Sequence, residues 1–452
     1  MTFIQHWIRT ASGITISSLL LVLFLIFSAC GKLDPERVVR VEITWAKALG
    51  GSKSEYPYKI IQIADGSYLL AGNSYSADGD VEENHGGQDA WLLKITSTGE
   101  IVWQYDLGGS RFDEALALLQ KSSGTFLIAG ATASEDGDID PGIRYDDKSQ
   151  QDIWLLELDP YGQILHQQCL GGSGKEWIRA IEETSDGGYI LAATSNSADI
   201  HLDQNHGEVD YWIVKLNSSL GIQWQRSFGG SNYDDAYSAR QTSDGGYIIG
   251  GDTGSEDQDV TGNHGGLDGW ILKLNAAGEI IWSRCYGGSK TDYIHDIIPT
   301  TDGGYAVAGI AESSDGDVTG TRDSFDAWIF KLNSEGDIHW NICLGGSKLD
   351  IASSIVETDD GGFLIAGHTE SNDGVVKENK GISNIWIIKL TPEGELDWEK
   401  TLGGSGNDNL RYLIKTVDGQ YLFAGDTDSN DGDVTGNHGE RDIWLVKFQW
   451  FK

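Results

Sequence analysis

The sequence predicts an all-β protein: a seven-bladed β-propeller of four-stranded blades, closed by an N-terminal strand that completes the last blade. Three observations carry this. Gly-Gly-Ser begins at Gly50, Gly108, Gly171, Gly229, Gly287, Gly345 and Gly403, at spacings of 58, 63, 58, 58, 58 and 58 residues. A Trp followed three residues later, usually by Lys, recurs in step at Trp91, Trp154, Trp212, Trp270, Trp328, Trp386 and Trp444. Between these markers the chain alternates apolar and polar residues with period two, and no stretch carries a convincing helical period.

The repeat beginning at Gly229 illustrates the elements in order. Residues 235–242 (DAYSARQT) read as a first strand. Asp244-Gly245 predicts a tight hairpin with both central residues at positive φ. Tyr247 to Asp252 is a second strand of small and β-branched residues, and a polar loop runs to Gly266. Trp270 to Asn275 is the third strand, Ala276-Ala277-Gly278 turns, and Glu279 to Cys285 is the fourth. Four such strands repeated seven times predict a propeller.

The two ends explain each other. The last repeat stops at Trp444 to Lys447 without a fourth strand, whereas residues 42–50 (EITWAKALG) carry the fourth-strand pattern of EIIWSRCYG before the first complete repeat. The N-terminal strand therefore belongs to blade seven, which ties the chain ends together and removes open edges. The propeller is expected over 41–452.

Residues 1–29 contain no acid, begin weakly basic with His6 and Arg9, and hold an apolar stretch from Ile14 to Phe27 before Ser28-Ala29-Cys30. This reads as a secretory signal with a small-residue cleavage site. With Cys30 directly after it, the segment resembles a bacterial lipoprotein signal, although Phe27 stands where that family usually has Leu. The resemblance implies lipidation of Cys30, a tether over 30–40 and a membrane partner reached through lipid. An uncleaved signal anchor is the alternative. Gly31 in place of Asp leans toward the outer membrane, facing periplasm or surface. The expected location is the cell envelope.

The repeats themselves, in Asn275-Ala-Ala-Gly278-Glu-Ile-Ile-Trp282 and its copies, resemble the quinoprotein-like (PQQ-like) propeller family, with the Asn-to-Gly spacing one residue shorter. Nearly all of 41–447 is covered. The chain also resembles repeat propellers of uncharacterised bacterial surface lipoproteins, which implies a fold and a location but no settled activity. Many quinoprotein enzymes use an adjacent cysteine pair, and this chain has no Cys-Cys.

Composition narrows the partners. With 32 basic and 69 acidic residues the net charge is −37, which argues against nucleic acid and against docking on anionic lipid. Cys169, Cys285 and Cys343 share one repeat position, two residues before Gly-Gly, where other repeats have Ala48, Asp106, Ser227 and Thr401. Positions in different repeats are too far apart to bridge, and no disulfide is expected.

Residues repeated in every blade serve the blade. The third-strand Trp residues and the fourth-strand Trp45, Trp103, Trp224, Trp282, Trp340 and Trp398 read as packing between blades, with sugar stacking as the other reading. Acids repeat as well. An acid follows each Gly-Gly-Ser at Glu55, Asp113, Glu176, Asp234, Asp292, Asp350 and Asp408, and the long loop carries Ser-x-Asp in all seven repeats. The pairs Asp78 and Asp80, Asp136 and Asp138, Asp257 and Asp259, Asp315 and Asp317, and Asp431 and Asp433 offer hard oxygens to a metal, and Ca²⁺ is the one cofactor they suggest. Asx and Ser turn chemistry is the competing reading. His85, His206, His264 and His438 recur too, but one His per loop lacks partners for Zn²⁺.

Specificity is expected where the repeat breaks. The second repeat carries an insert around Asp140 to Gln151, His166 replaces its fourth-strand Trp, and the third repeat adds Trp177 and places His201 where others have Asp. A smaller set of departures lies at Val375, Lys380 and Asn384. Arg144, Tyr145, Trp177 and His201 are the candidate ligand-binding residues, at the rim between blades two and three; neutral drift of an exposed loop is the alternative. No catalytic residue stands out. The reading favours a non-catalytic binding or scaffold propeller with a protein or glycan ligand. A carbohydrate-active protein comes second and a quinoprotein oxidoreductase third.

Overall fold

The computed structural model describes residues 39–144, 150–202, 204–322 and 324–451. The signal segment, Cys30, most of the tether and Tyr145 lie outside the described residues. The propeller body is Val41–Gln449.

Among the described residues, twenty-eight strands form seven four-stranded sheets. Blade four is typical: Asp234–Gln241, Tyr247–Thr253, Asp268–Leu274 and Ile280–Tyr286 pair antiparallel in sequence order. The first strands of successive blades touch one another around the ring, and Glu55–Gln62 of blade one meets Asp408–Lys415 of blade seven. They line a central channel. The seventh sheet runs Arg40–Leu49, Asp442–Phe451, Tyr421–Thr427, Asp408–Lys415, so the N-terminal strand does supply its fourth member.

The core lies between blades. The cluster around Trp154, for example, joins Ala90 and Leu92 of blade one to Phe126 and Leu156 of blade two. All seven third-strand Trp residues are at most 1% exposed, and truncating a side chain of this kind to Ala costs about 3–5 kcal/mol. Their indole N–H groups are mostly satisfied within the blade, as in Trp91 to Gln104 at 2.8 Å and Trp270 to Ser283 at 2.8 Å. The fourth-strand Trp residues dock onto the neighbour. Trp45, Trp224, Trp282 and Trp340 donate to Ser97, Ala276, Ser334 and Pro392 carbonyls in the turns of the following blades. In blade two, where His166 replaces the Trp, Gln168 makes the equivalent reach to the Leu220 carbonyl at 3.1 Å.

One local expectation is corrected. The hairpin of blade four does not place both Asp244 and Gly245 at positive φ; only Gly245 is there, at 82°. The loop is longer by design. Gly245 N–H donates to the Thr242 carbonyl, and the Asp244 carboxylate accepts from Gly246 N–H at 2.9 Å and from Lys273 at 2.9 Å. Lys273 is the Lys three residues after Trp270, which gives that motif its purpose: it clamps the first hairpin of its own blade. Lys94–Asp65, Lys215–Asp186, Lys331–Asp302, Lys389–Asp360 and Lys447–Asp418 repeat the clamp. In blade two the charges are exchanged, Glu157 pairing with Lys121 at 2.8 Å. Cys169, Cys285 and Cys343 form no disulfide with one another and sit opposite Trp154, Trp270 and Trp328 in separate blades.

Candidate functional site

The acidic face is built from the turns upward. Asp78, Asp136, Asp257, Asp315 and Asp431 each accept the backbone N–H of the Ser in the preceding Gly-Gly-Ser link, at 2.7–2.8 Å. Asp80, Asp138, Asp259, Asp317 and Asp433 accept the N–H of the link's first Gly, at 3.1–3.4 Å. The loop serines accept from the residue after the link, as Ser255 does from Asn232 N–H at 3.0 Å. Each of the ten aspartates offered to Ca²⁺ is thus engaged in holding its own blade connection. Among the described residues, none of the ten belongs to a group of three donor atoms within 4.8 Å; the one such group is His85, Asp89 and Asp106.

Beneath these turns, two further carboxylates pinch the first Gly of each link. In blade four a Cβ on Gly229 would stand 2.4 Å from Asp210 Oδ1 and 2.7 Å from Asp234 Oδ2, so only Gly fits. Both acids are fully buried. Asp234 accepts from Gly230 N–H at 2.8 Å, from Ser255 at 2.9 Å and from Thr253, yet burial raises it to about 6 against the pull of those bonds. Burial likewise raises Asp268 and Asp326 to about 6. The outer oxygen of Asp210 takes His206 N–H, while its Oδ1 meets no donor. Asp89, Asp268, Asp326 and Asp442 have the same buried, donorless Oδ1. Asn384 explains the arrangement by exception: its Nδ2 donates to Asp408 at 3.0 Å and to the Gly404 carbonyl at 3.1 Å.

The rim residues are placed as follows. Arg144 is in the described part of the insert, its side chain 3% exposed; it pairs with Asp152 at 3.3 Å and donates to the Ala133 and Gln150 carbonyls. It stands where other blades use the loop His, and it secures the insert. His201 takes the place of the second loop Asp, with Nδ1 3.2 Å from Gly171 N; burial lowers its pKa. Trp177 lies in the first strand of blade three (Glu176–Glu183), half-buried, with Lys175 Nζ 4.0 Å from its ring. Arg144 is thus sealed within its loop, whereas Trp177 and His201 are each partly buried in blade three.

The structure gathers a different set. A cavity of about 130 Å³ in the central channel is lined by the first strands, with Tyr58, Arg179, Tyr237, His295, Arg411 and Tyr412 among its walls. Arg179 lies 5.4 Å over the Tyr237 ring, whose centroid is 6.2 Å from His295. Lys59 lies 3.6 Å over the Tyr412 ring and also bonds its hydroxyl. Acids behind the cations orient them: Asp235 is 4.0 Å from Arg179, Asp296 is 3.1 Å from Arg240, and Asp426 is 3.1 Å from Arg411. Arg179 and Arg411 keep 37% and 42% of their side chains exposed, enough to meet a ligand. For Arg179, burial opposes the charge, and Asp235 together with Tyr237, Tyr58 and Tyr233 outweighs it, leaving the guanidinium protonated.

Breaks in the repeat do not reveal this set. The signal was in the first strands. Their first and third residues stay acidic and small or apolar, while the fourth runs Tyr58, Leu116, Arg179, Tyr237, His295, Ser353, Arg411.

Fold and site together define a seven-bladed β-propeller with a cationic and aromatic channel in an acidic body. No protein-family model matches the chain. Over 270 residues, 57% of this chain, it is 21% identical to the regulatory protein FlaEY of Caulobacter vibrioides, and it spans only 27% of that relative's length. Among solved structures, a polysaccharide lyase described as an ulvan lyase superposes with a TM-score of 0.51 and 13% identity, over 88% of this chain and 96% of that one. BamB from Moraxella catarrhalis aligns at 0.42 and 13% identity, over 91% of this chain and 100% of that one. The likeness to the lyase is one of propeller fold.

Proposed function

We propose that this chain is a binding propeller of a bacterial cell envelope, tethered by lipid on Cys30, and that its ligand presents carboxylate groups to the central channel. The observation that carries the reading is the pair of half-exposed arginines, Arg179 and Arg411, beside Tyr58, Tyr237 and Tyr412 in one cavity. Arginine forks match carboxylates in two parallel bonds, and tyrosine faces cover a sugar ring or an apolar side chain at little entropic cost. Elsewhere the net charge of −37 repels such a ligand, so attraction is local to the channel. A uronate-containing glycan and an acidic protein segment share this chemistry.

The experiment is an array of neutral and uronate-containing glycans beside acidic and neutral peptides, probed with the mature chain. Capture confined to carboxylate-bearing members supports the reading; capture of neutral members equally well removes it. The tether is tested separately. Cys30→Ser is expected to abolish lipid labelling and membrane association, and a variant that still fractionates with membrane returns the uncleaved anchor.

A further inference from the structure

Blade one carries an acid at a fourth-strand position where its six copies have none. Asp106, in the fourth strand Ile101–Leu107, pairs with Trp91 across the sheet and stands where the other blades have Ala48, Cys169, Ser227, Cys285, Cys343 and Thr401. Those residues are apolar or can donate a hydrogen bond. Ser227, for example, donates to Asp210 at 3.3 Å. Asp106 instead presents two acceptors to an acceptor. Both its carboxyl oxygens are buried and meet no hydrogen-bond donor, and Asp89 beside it is fully buried with its own Oδ1 donorless. An acid in that position is costly unless something positive satisfies it.

A third donor completes the set. His85, Asp89 and Asp106 each bring one ligand atom within 4.8 Å of the others. His85 Nδ1 is 3.3 Å from Asp89 Oδ2, and its Nε2 is 3.9 Å from both Glu83 and Asp138. Among the blades that carry the loop His, Glu83 is particular to this one; the matching residues before His206, His264 and His438 are Gln204, Gly262 and Gly436. Asp138 belongs to blade two, so the cluster lies at the junction of two blades.

We propose that His85, Asp89 and Asp106 form a site for one divalent cation of the Mn²⁺ kind, with Glu83 and Asp138 at its edge. Two carboxylates and one imidazole suit a borderline-to-hard divalent ion better than a thiolate-seeking one. The cation would supply what Asp106 lacks and would join blade one to blade two. This site is separate from the channel and does not depend on its ligand. Without a cation, burial and the Asp89 carboxylate push Asp106 up to about 9, which keeps it neutral and makes a shared proton the rival occupant.

The test uses the EDTA-treated full chain titrated with Mn²⁺, following the free-ion electron paramagnetic resonance signal. The parent is expected to take up one equivalent tightly. Asp106→Ser, which copies Ser227, is expected to fold and to lose that equivalent, with affinity weaker by tenfold or more. His85→Gln provides a second reading should Asp106→Ser fail to fold. Mn²⁺ should raise the melting temperature of the parent and leave both variants unmoved. No tight equivalent in the parent, or equal uptake by parent and variants, would overturn the proposal in favour of the shared proton.

Discussion

Asn384 is the residue that interprets its six aspartate counterparts. Its amide donates to Asp408 and to Gly404, so the same spot in the other blades faces a carboxylate and a carbonyl with an oxygen that has nothing to give. Burial therefore raises Asp234, Asp268 and Asp326 from 3.8 to about 6. The sign follows from linkage. A carboxyl whose folded pKa exceeds its unfolded value binds its proton more tightly when folded, so that stabilisation is complete below about pH 4 and is lost as pH rises through about 6. The hairpin clamps act oppositely: Asp65, Asp186, Asp244, Asp302 and Asp360 are held at about 2, and their contribution is lost as pH falls from about 4 toward 2. Melting temperature should accordingly peak near pH 4–5 and decline toward pH 7; a curve that climbs steadily to pH 7 contradicts the buried pairs. Asp268→Asn, which copies Asn384, should stabilise the fold at pH 8 by about 1–2 kcal/mol and flatten that decline. A lower melting temperature for this variant at pH 8 would count against the argument.

At the scale of the element, the four-strand blade was legible because its punctuation is chemical. Gly at the link, Trp in the third strand and Lys three residues on each do one mechanical task, and the structure assigns them: room for two carboxylates, packing between blades, and a clamp on the hairpin. The hairpin geometry was misread because Asp244-Gly245 is only half of its loop; Thr242 supplies the other half through a backbone bond that no dipeptide reports. The N-terminal strand was legible through Trp45, whose indole reaches Ser97 of blade one while Lys47 meets Glu100 at 2.8 Å. Deleting residues 40–48 should therefore leave blade seven with three strands, expose the Asp442–Phe451 strand as an edge, and lower the melting temperature sharply. A deletion that melts like its parent would sink the closure.

At the scale of the whole molecule, the ring divides labour between what all blades share and what each first strand keeps for itself. The repeated acids dominate the sequence, yet the structure shows the loop pairs engaged with backbone N–H groups at the links. The channel set was not legible, for a physical reason. Each first strand carries a bulge between its third and fifth residues, and the side on which a residue emerges after a bulge cannot be read from a period of two. Arg179, Tyr237 and Arg411 therefore looked like scatter within strands until seven strands were placed around one axis. The account makes the channel, not the rim insert, the place where a ligand is held. A binding titration with the best array ligand tests this most directly, comparing the parent with Arg179→Gln/Arg411→Gln and with a variant whose insert is trimmed to the 58-residue repeat. The account predicts at least tenfold weaker binding for the double variant at unchanged melting temperature, and parental binding for the trimmed one; parental binding by the double variant, with loss on trimming, would contradict it.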